Sequence, residues 1–225
     1  NNGLQMPLEG FGVFQVRDKE ECKQSVLEAI KAGYRLIDTA ASYTNEDAVG
    51  EAVKEAIREG ICTREELFIT SKMWVQDMKD YDSAKKAIDA SLKKSGLEYL
   101  DLYLLHQAMG DYFSAYRAME DAYKEGKLKA IGVSNFYPHT LVNFCSFVEI
   151  PPMVNQVELH PFFAQPHALE IMNEYHVQAE AWAPLGGGRY DAFNNEVLKE
   201  IALKHNKSIS YNDGMKILSR NNYFY

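Results

Sequence analysis

"YRLIDTAASYTNEDAVG", residues 34–50, decides the fold. A strand-forming run (Tyr34, Leu36, Ile37) carries Asp38 within it, breaks into a polar turn holding Tyr43, and then takes up helical spacing. Strand followed by helix is the repeating unit of a parallel sheet, and the turn between them separates two architectures. An open dinucleotide-binding sheet carries GxGxxG after its first strand, where glycines let a pyrophosphate approach the helix start. "AASYTNEDAVG" has no such pattern, which favours a closed barrel. The carboxylate in a strand that reads as buried has two readings: Asp38 caps the following helix while Tyr43 merely packs, or both belong to a site.

The same alternation continues on either side. Upstream, "LQMPLEGFGVFQV" (4–16) reads as a hairpin or a first strand, and "KEECKQSVLEAIKAG" (19–33) as a helix ended by Gly33. Downstream, strands are expected at 66–72, 99–106, 130–135, 153–159 and 177–185. Helices are expected at 46–60, 81–96, 112–127, 139–147, 168–176 and 194–206. Six clear strands plus the N-terminal one, evenly spaced, imply a (β/α)8 TIM barrel of the α/β class, forming a single domain over 1–225. Such a barrel takes about 250 residues, and the tail "ISYNDGMKILSRNNYFY" (209–225) does not read as another strand and helix, so an eighth strand is missing.

Composition narrows the function classes. With 225 residues, 46% hydrophobic and 25% charged, the chain has the balance of a soluble globular protein. A net charge of −8 argues against nucleic-acid binding through a basic surface, and no apolar run approaches the roughly 18 residues of a membrane span. Cys22, Cys62 and Cys145 are widely spaced, with neither disulfide nor metal-ligand spacing, so no metal site is expected. The first residues lack an initiator Met and a secretory signal, so the start is read as trimmed and a cytoplasmic monomer is expected.

Barrel active sites lie where strands end. Asp38 and Tyr43 follow one strand, Lys72 ends the next and His106 the third, so four ionisable residues converge on one end of the barrel. Singly, each has an ordinary structural reading as a cap, a solvated charge or a packed ring. Together they point to chemistry.

The ordered motifs "DTAASYTNEDAVGEAV", "ITSKMW", "LYLLHQ", "GVSNF", "NQVELHP" and "AWAPLGGG" resemble the aldo-keto reductases, particularly prokaryotic-type members similar to 2,5-diketo-D-gluconate reductase. The resemblance covers residues 3 to about 208. It implies an NADP(H)-dependent oxidoreductase that reduces small aldehydes, ketones or keto-sugars. In that reading Tyr43 is the proton donor, Lys72 and Asp38 are its charge partners, and His106 orients the carbonyl. Physical chemistry agrees: an oxygen gaining negative charge needs an acid and donors, and an ammonium near a phenol lowers its pKa.

The resemblance also implies that Ser134, Asn135 and Gln156, with Asn155 beside it, bind the nicotinamide carboxamide and that Trp182 stacks on the ring. "PLGGGRY" would cross the pyrophosphate, with Leu185 and Gly186 as contacts. Trp74, His106 and Phe113, with Phe14, are candidates for the substrate mouth. Family members continue past "KHNKS" with a helix, an eighth strand and an Arg-bearing segment for the 2′-phosphate; these are expected to be absent between about Ser208 and Ile209, and the tail resembles the family's extreme C-terminus. They are missing either from the sequence as read or from a shortened gene product, and the edges an open barrel would expose weigh against the latter. Two other functions compete: a non-catalytic nicotinamide-binding barrel acting as sensor or partner subunit, and a Schiff-base aldolase using Lys72.

Overall fold

The structure is a computed structural model and describes residues 2–209. Among these, seven strands form one parallel sheet in the order β1 to β7, each strand pairing with its sequence neighbour. They are β1 (Gly10–Gly12), β2 (Leu36–Asp38), β3 (Phe68–Met73), β4 (Leu102–Leu105), β5 (Ile131–Ser134), β6 (Val154–Glu158) and β7 (Gln178–Trp182). Helices separate them: α1 (Lys19–Lys31), α2 (Glu46–Arg58), α3 (Tyr81–Ser95), α4 (Tyr112–Lys124), α5 (Pro138–Cys145), α6 (Pro166–Glu174) and, after β7, α7 (Glu196–His205). The N-terminal segment is thus a first strand parallel to β2, with no hairpin among the described residues.

The sheet curls, and one contact proves it. Gln156 on β6 donates its Nε2 to Asp38 on β2 at 3.0 Å. In a flat sheet these strands would stand about 19 Å apart at ~4.8 Å per strand, beyond the reach of two short side chains. Sequential parallel order plus curl is the winding of an α/β barrel, seven of whose strands lie within the described residues. Residues 210–225, including most of the tail likened above to the family's C-terminus, lie outside the described residues.

Local sequence accounts for the elements. Every residue of β3 is buried, as a strand covered on both faces requires. Side chains of Asp18, Asp80, Asp111 and Asn195 accept backbone N–H groups at the starts of α1, α3, α4 and α7. At the face opposite the strand ends that matter for chemistry, Arg64 Nη2 donates to Asp101 Oδ2 at 2.7 Å, and that same carboxylate oxygen accepts the Ile69 N–H at 2.8 Å. Such ties fix the start of β3 against β4 and belong to stability.

Helices α2 and α3 approach closely at Gly50. A Cβ placed there would lie 1.8 Å from the Ser95 carbonyl oxygen, which is backbone and cannot swing away. Gly50→Ala is therefore expected to destabilise the protein by about 1–3 kcal/mol through overpacking. Thermal denaturation checks this; an unchanged Tm would mean that α2 and α3 do not meet at this residue.

Candidate active site

The strand ends converge as expected. Asp38 closes β2, Lys72 lies next to the end of β3, His106 follows β4, Ser134 closes β5, and Trp182 closes β7. Tyr43 ends a short 3-10 turn, Ala41–Tyr43. That turn is held from behind by Asn45, whose buried side chain accepts from Thr39 Oγ1 at 2.7 Å and donates to the carbonyls of Val13 and Val16. The sequence reading passed over Asn45; an Asn just after a strand-to-helix turn was the available signal.

Lys72 is completely buried and is the hub of the site. Its Nζ donates to Asp38 Oδ1 at 2.5 Å, to the Thr39 carbonyl at 3.0 Å and to the Tyr43 hydroxyl at 3.5 Å. Asp38 accepts on its other oxygen from Gln156. It does not cap α2: the residue in that position is Asn45. Burial works to lower the Lys72 pKa, but the charge of Asp38, its hydrogen bond and the neighbouring Tyr43 reverse the balance and leave it raised. The ammonium is thus retained in the interior.

One expectation needs correction. The Lys72 charge was expected to leave the Tyr43 pKa low, yet the pKa is raised. Burial of the phenol is the largest influence, and Asp38 adds to it; Lys72 opposes both without overcoming them. Tyr43 therefore stays protonated at neutral pH and holds a proton available for donation. His106 is driven the other way. Burial, helped by the Lys72 charge, lowers its pKa to about 3, so the ring is neutral. Its Nδ1 lies 3.4 Å from Ser42 Oγ, and its ring meets Tyr43 and Trp74 edge-on at 5.7 and 5.0 Å between centroids.

A polar rim adjoins these four residues. Ser134 Oγ donates to the Gln156 carbonyl at 2.8 Å and accepts from Asn135 Nδ2 at 3.1 Å. Asn135, held at φ 61°, also donates to the His106 carbonyl, while its Oδ1 accepts from the Trp182 indole at 2.9 Å. Asn155 is elsewhere: it donates to the Phe136 carbonyl at 2.7 Å and pins the chain after β5. Gly186 adopts φ 76° in the 3-10 turn beyond Leu185, a left-handed geometry that glycine adopts without strain. Arg189 carries this loop back to β6 by donating to Glu158 Oε1 at 2.5 Å, a link the sequence did not announce.

The substrate-mouth candidates divide. Phe14 packs on Tyr43 at 5.0 Å and Trp74 on His106, so both border the site. Phe113 does not: its ring packs with Tyr112, Phe144 and Phe147 between α4 and α5. It sits on an interhelical aromatic face, where burial of large rings stabilises the outer layer.

Among the described residues no group of His, Cys, Asp and Glu is arranged to hold a metal ion, and no helix is long and apolar enough to cross a membrane.

The model of the Aldo/keto reductase family matches residues 10–217. The chain is 48% identical to a glyoxal reductase of Bacillus subtilis (strain 168) over 211 residues, 93% of this chain and 74% of that protein. It is 41% identical to methylglyoxal reductase DkgA of Escherichia coli (strain K12), covering 92% of this chain and 74% of that one. Among solved structures, a Bombyx mori aldo-keto reductase in complex with NADP superposes with a TM-score of 0.86 at 34% identity, covering 93% of this chain and 75% of that chain. A strand-end constellation on a curled parallel sheet, a family match across most of the chain and these likenesses agree: the chain belongs to the aldo/keto reductase family.

Proposed function

We propose that this protein reduces small aldehydes, ketones or dicarbonyls with NADP(H), and that Tyr43 is the proton donor. The observation that carries the reading is the chain of contacts from Asp38 through the buried Lys72 ammonium to the Tyr43 hydroxyl, beside a neutral His106. Relatives named glyoxal and methylglyoxal reductase favour small dicarbonyl substrates.

The residues present fit a nicotinamide cofactor. Trp182 offers a partly exposed indole fixed by Asn135, and Ser134 and Gln156 lie on the adjoining rim. Gln156 commits its Nε2 to Asp38, which leaves Oε1 to accept from a carboxamide N–H. Leu185 and Gly186 begin the loop that would meet the pyrophosphate, where a left-handed glycine lets backbone approach closely. The NADP-bound Bombyx mori relative supports the choice of cofactor.

Bound at this rim, the reduced nicotinamide supplies the hydride. The protein handles the proton and the charge. His106, neutral, offers a ring N–H to the carbonyl oxygen and polarises it. Tyr43 passes its phenol proton to that oxygen as negative charge develops there. Lys72 stabilises the phenolate left behind, and Asp38 with the Thr39 carbonyl holds the ammonium in place. The same geometry disfavours the Schiff-base reading, because a nucleophilic lysine must be a free amine and Lys72 is held charged. Filled catalytic positions likewise favour an enzyme over a sensor. The whole of 1–225 is taken as one barrel domain.

Tyr43→Phe is expected to lower kcat for NADPH-driven methylglyoxal reduction by at least ~100-fold, the usual scale of acid catalysis, while NADPH quenching of Trp fluorescence persists. Turnover within a few-fold of the parent would place the acid elsewhere. Lys72→Met removes the one influence that lowers the Tyr43 pKa, so the alkaline limb of the pH profile should move to higher pH; a superimposable profile would deny Lys72 that role. Since His106 is neutral down to about pH 3, its ring nitrogen NMR signals should not titrate between roughly pH 5 and 8. A transition in that range would remove the neutral donor from the mechanism.

A further inference from the structure

Glu180 is a carboxylate that the steps above do not use. Glu180 lies two residues before Trp182 on β7 and directly opposite Gln156 in the β6–β7 register. Parallel partners project to the same side of a sheet, so Glu180 faces the interior beside Gln156, the residue that bonds Asp38 across the barrel. Its Oε2 is buried and has no hydrogen-bond partner among the described residues. A buried carboxylate oxygen that no protein donor reaches is favoured when it is protonated or when it feels a cation. The cation here is Lys72, already shared with Asp38.

We propose that Glu180 is a positioning residue for the Tyr43 proton transfer, acting through Gln156 and the Lys72 ammonium and changing its influence as it ionises. The inference rests on the reductase reading. Facing it are Asp38 from β2, Tyr43 from the turn after β2, Lys72 from β3 and Gln156 from β6. Burial, reinforced by the Asp38 charge, pushes its pKa up to about 7 against the opposing pull of Lys72 and Gln156. The group therefore changes charge near neutrality.

The direction follows from the charges. Ionised Glu180 adds negative charge beside the network and raises the pKa of both Tyr43 and Lys72. The phenol then holds its proton more tightly, and the phenolate is less well stabilised. Protonated Glu180 removes that opposition. Reduction should accordingly be favoured below the Glu180 transition and fall as pH rises through it, a step separate from the alkaline limb set by Tyr43 itself.

A carboxylate set within the apolar run "VQAEAW" was visible in the sequence in the same way as Asp38. What hid it was the lack of a strand-end position: Glu180 lies in the middle of β7.

Two measurements test the proposal. The first is an infrared titration of the protein without cofactor, following the protonated-carboxyl band. The second is the pH profile of kcat for methylglyoxal with NADPH, in the parent, Glu180→Gln, Glu180→Asp and Tyr43→Phe. The expected result is a band that disappears as pH rises through about 7 and is missing from Glu180→Gln. The parent kcat should show a matching step, lost in Glu180→Gln and restored in Glu180→Asp, with NADPH affinity within a few-fold throughout.

Parent and Glu180→Gln profiles that superimpose, with Tyr43→Phe inactive, would overturn the inference and leave the reductase reading standing. An active Tyr43→Phe would overturn both. Should Glu180→Gln fail to fold, a parent protein without a carboxyl transition near neutrality overturns the proposal by itself.

Discussion

Asp38 on β2 accepts two hydrogen bonds, one from Lys72 on the neighbouring β3 and one from Gln156 on β6, across the curl of the sheet. A lysine ammonium with no solvent exposure is otherwise untenable, since the desolvation of an unpaired charge costs several kcal/mol. The Lys72 bond joins neighbouring strands, whereas the Gln156 bond forms because the sheet curls enough to bring β6 to β2. Asp38 therefore links the curvature of the sheet to the buried cation and, through it, to the phenol. Removing the carboxylate would strand the ammonium and release a cross-barrel tie at once.

Burial decides the protonation of Tyr43 and His106, whereas at Lys72 the charge of Asp38 and the neighbouring Tyr43 outweigh it. Burial keeps Tyr43 protonated against the pull of Lys72, and it keeps His106 unprotonated with the help of the same charge. These outcomes suit opposite needs: one group must still hold its proton when the carbonyl arrives, and the other must present a neutral donor. Lys72 serves less to ionise the phenol beforehand than to make the phenolate bearable once the proton has left. That distinction comes from the geometry of burial, which a list of neighbouring charges does not contain.

Around this centre the polar groups largely satisfy one another. Trp182, Asn135, Ser134 and the Gln156 carbonyl form a chain of hydrogen bonds, and Asn45 secures the turn that presents Tyr43. The Arg189–Glu158 bond ties the glycine loop after β7 to the end of β6. Stability is supplied elsewhere, where Arg64 and Asp101 join β3 to β4 at the opposite end and Gly50 lets α2 and α3 touch. The separation of a stable base from a chemically committed rim is what a barrel of this winding permits.

The alternation of strand and helix, the absence of a glycine fingerprint after "YRLIDTA", and the strand-end positions of Asp38, Lys72 and His106 were all legible along the chain, because they depend on residue type and spacing within a few turns. So was the family, through ordered motifs at those same strand ends. What the chain could not disclose were distances between residues far apart in sequence. The bond from Gln156 to Asp38, the withdrawal of Phe113 into a helical interface, the orphaned oxygen of Glu180 and the net direction of the Tyr43 shift all depend on which strands the curl brings together and how much water it excludes. Local periodicity determines which elements form; only their closure in three dimensions determines which charges share a dielectric.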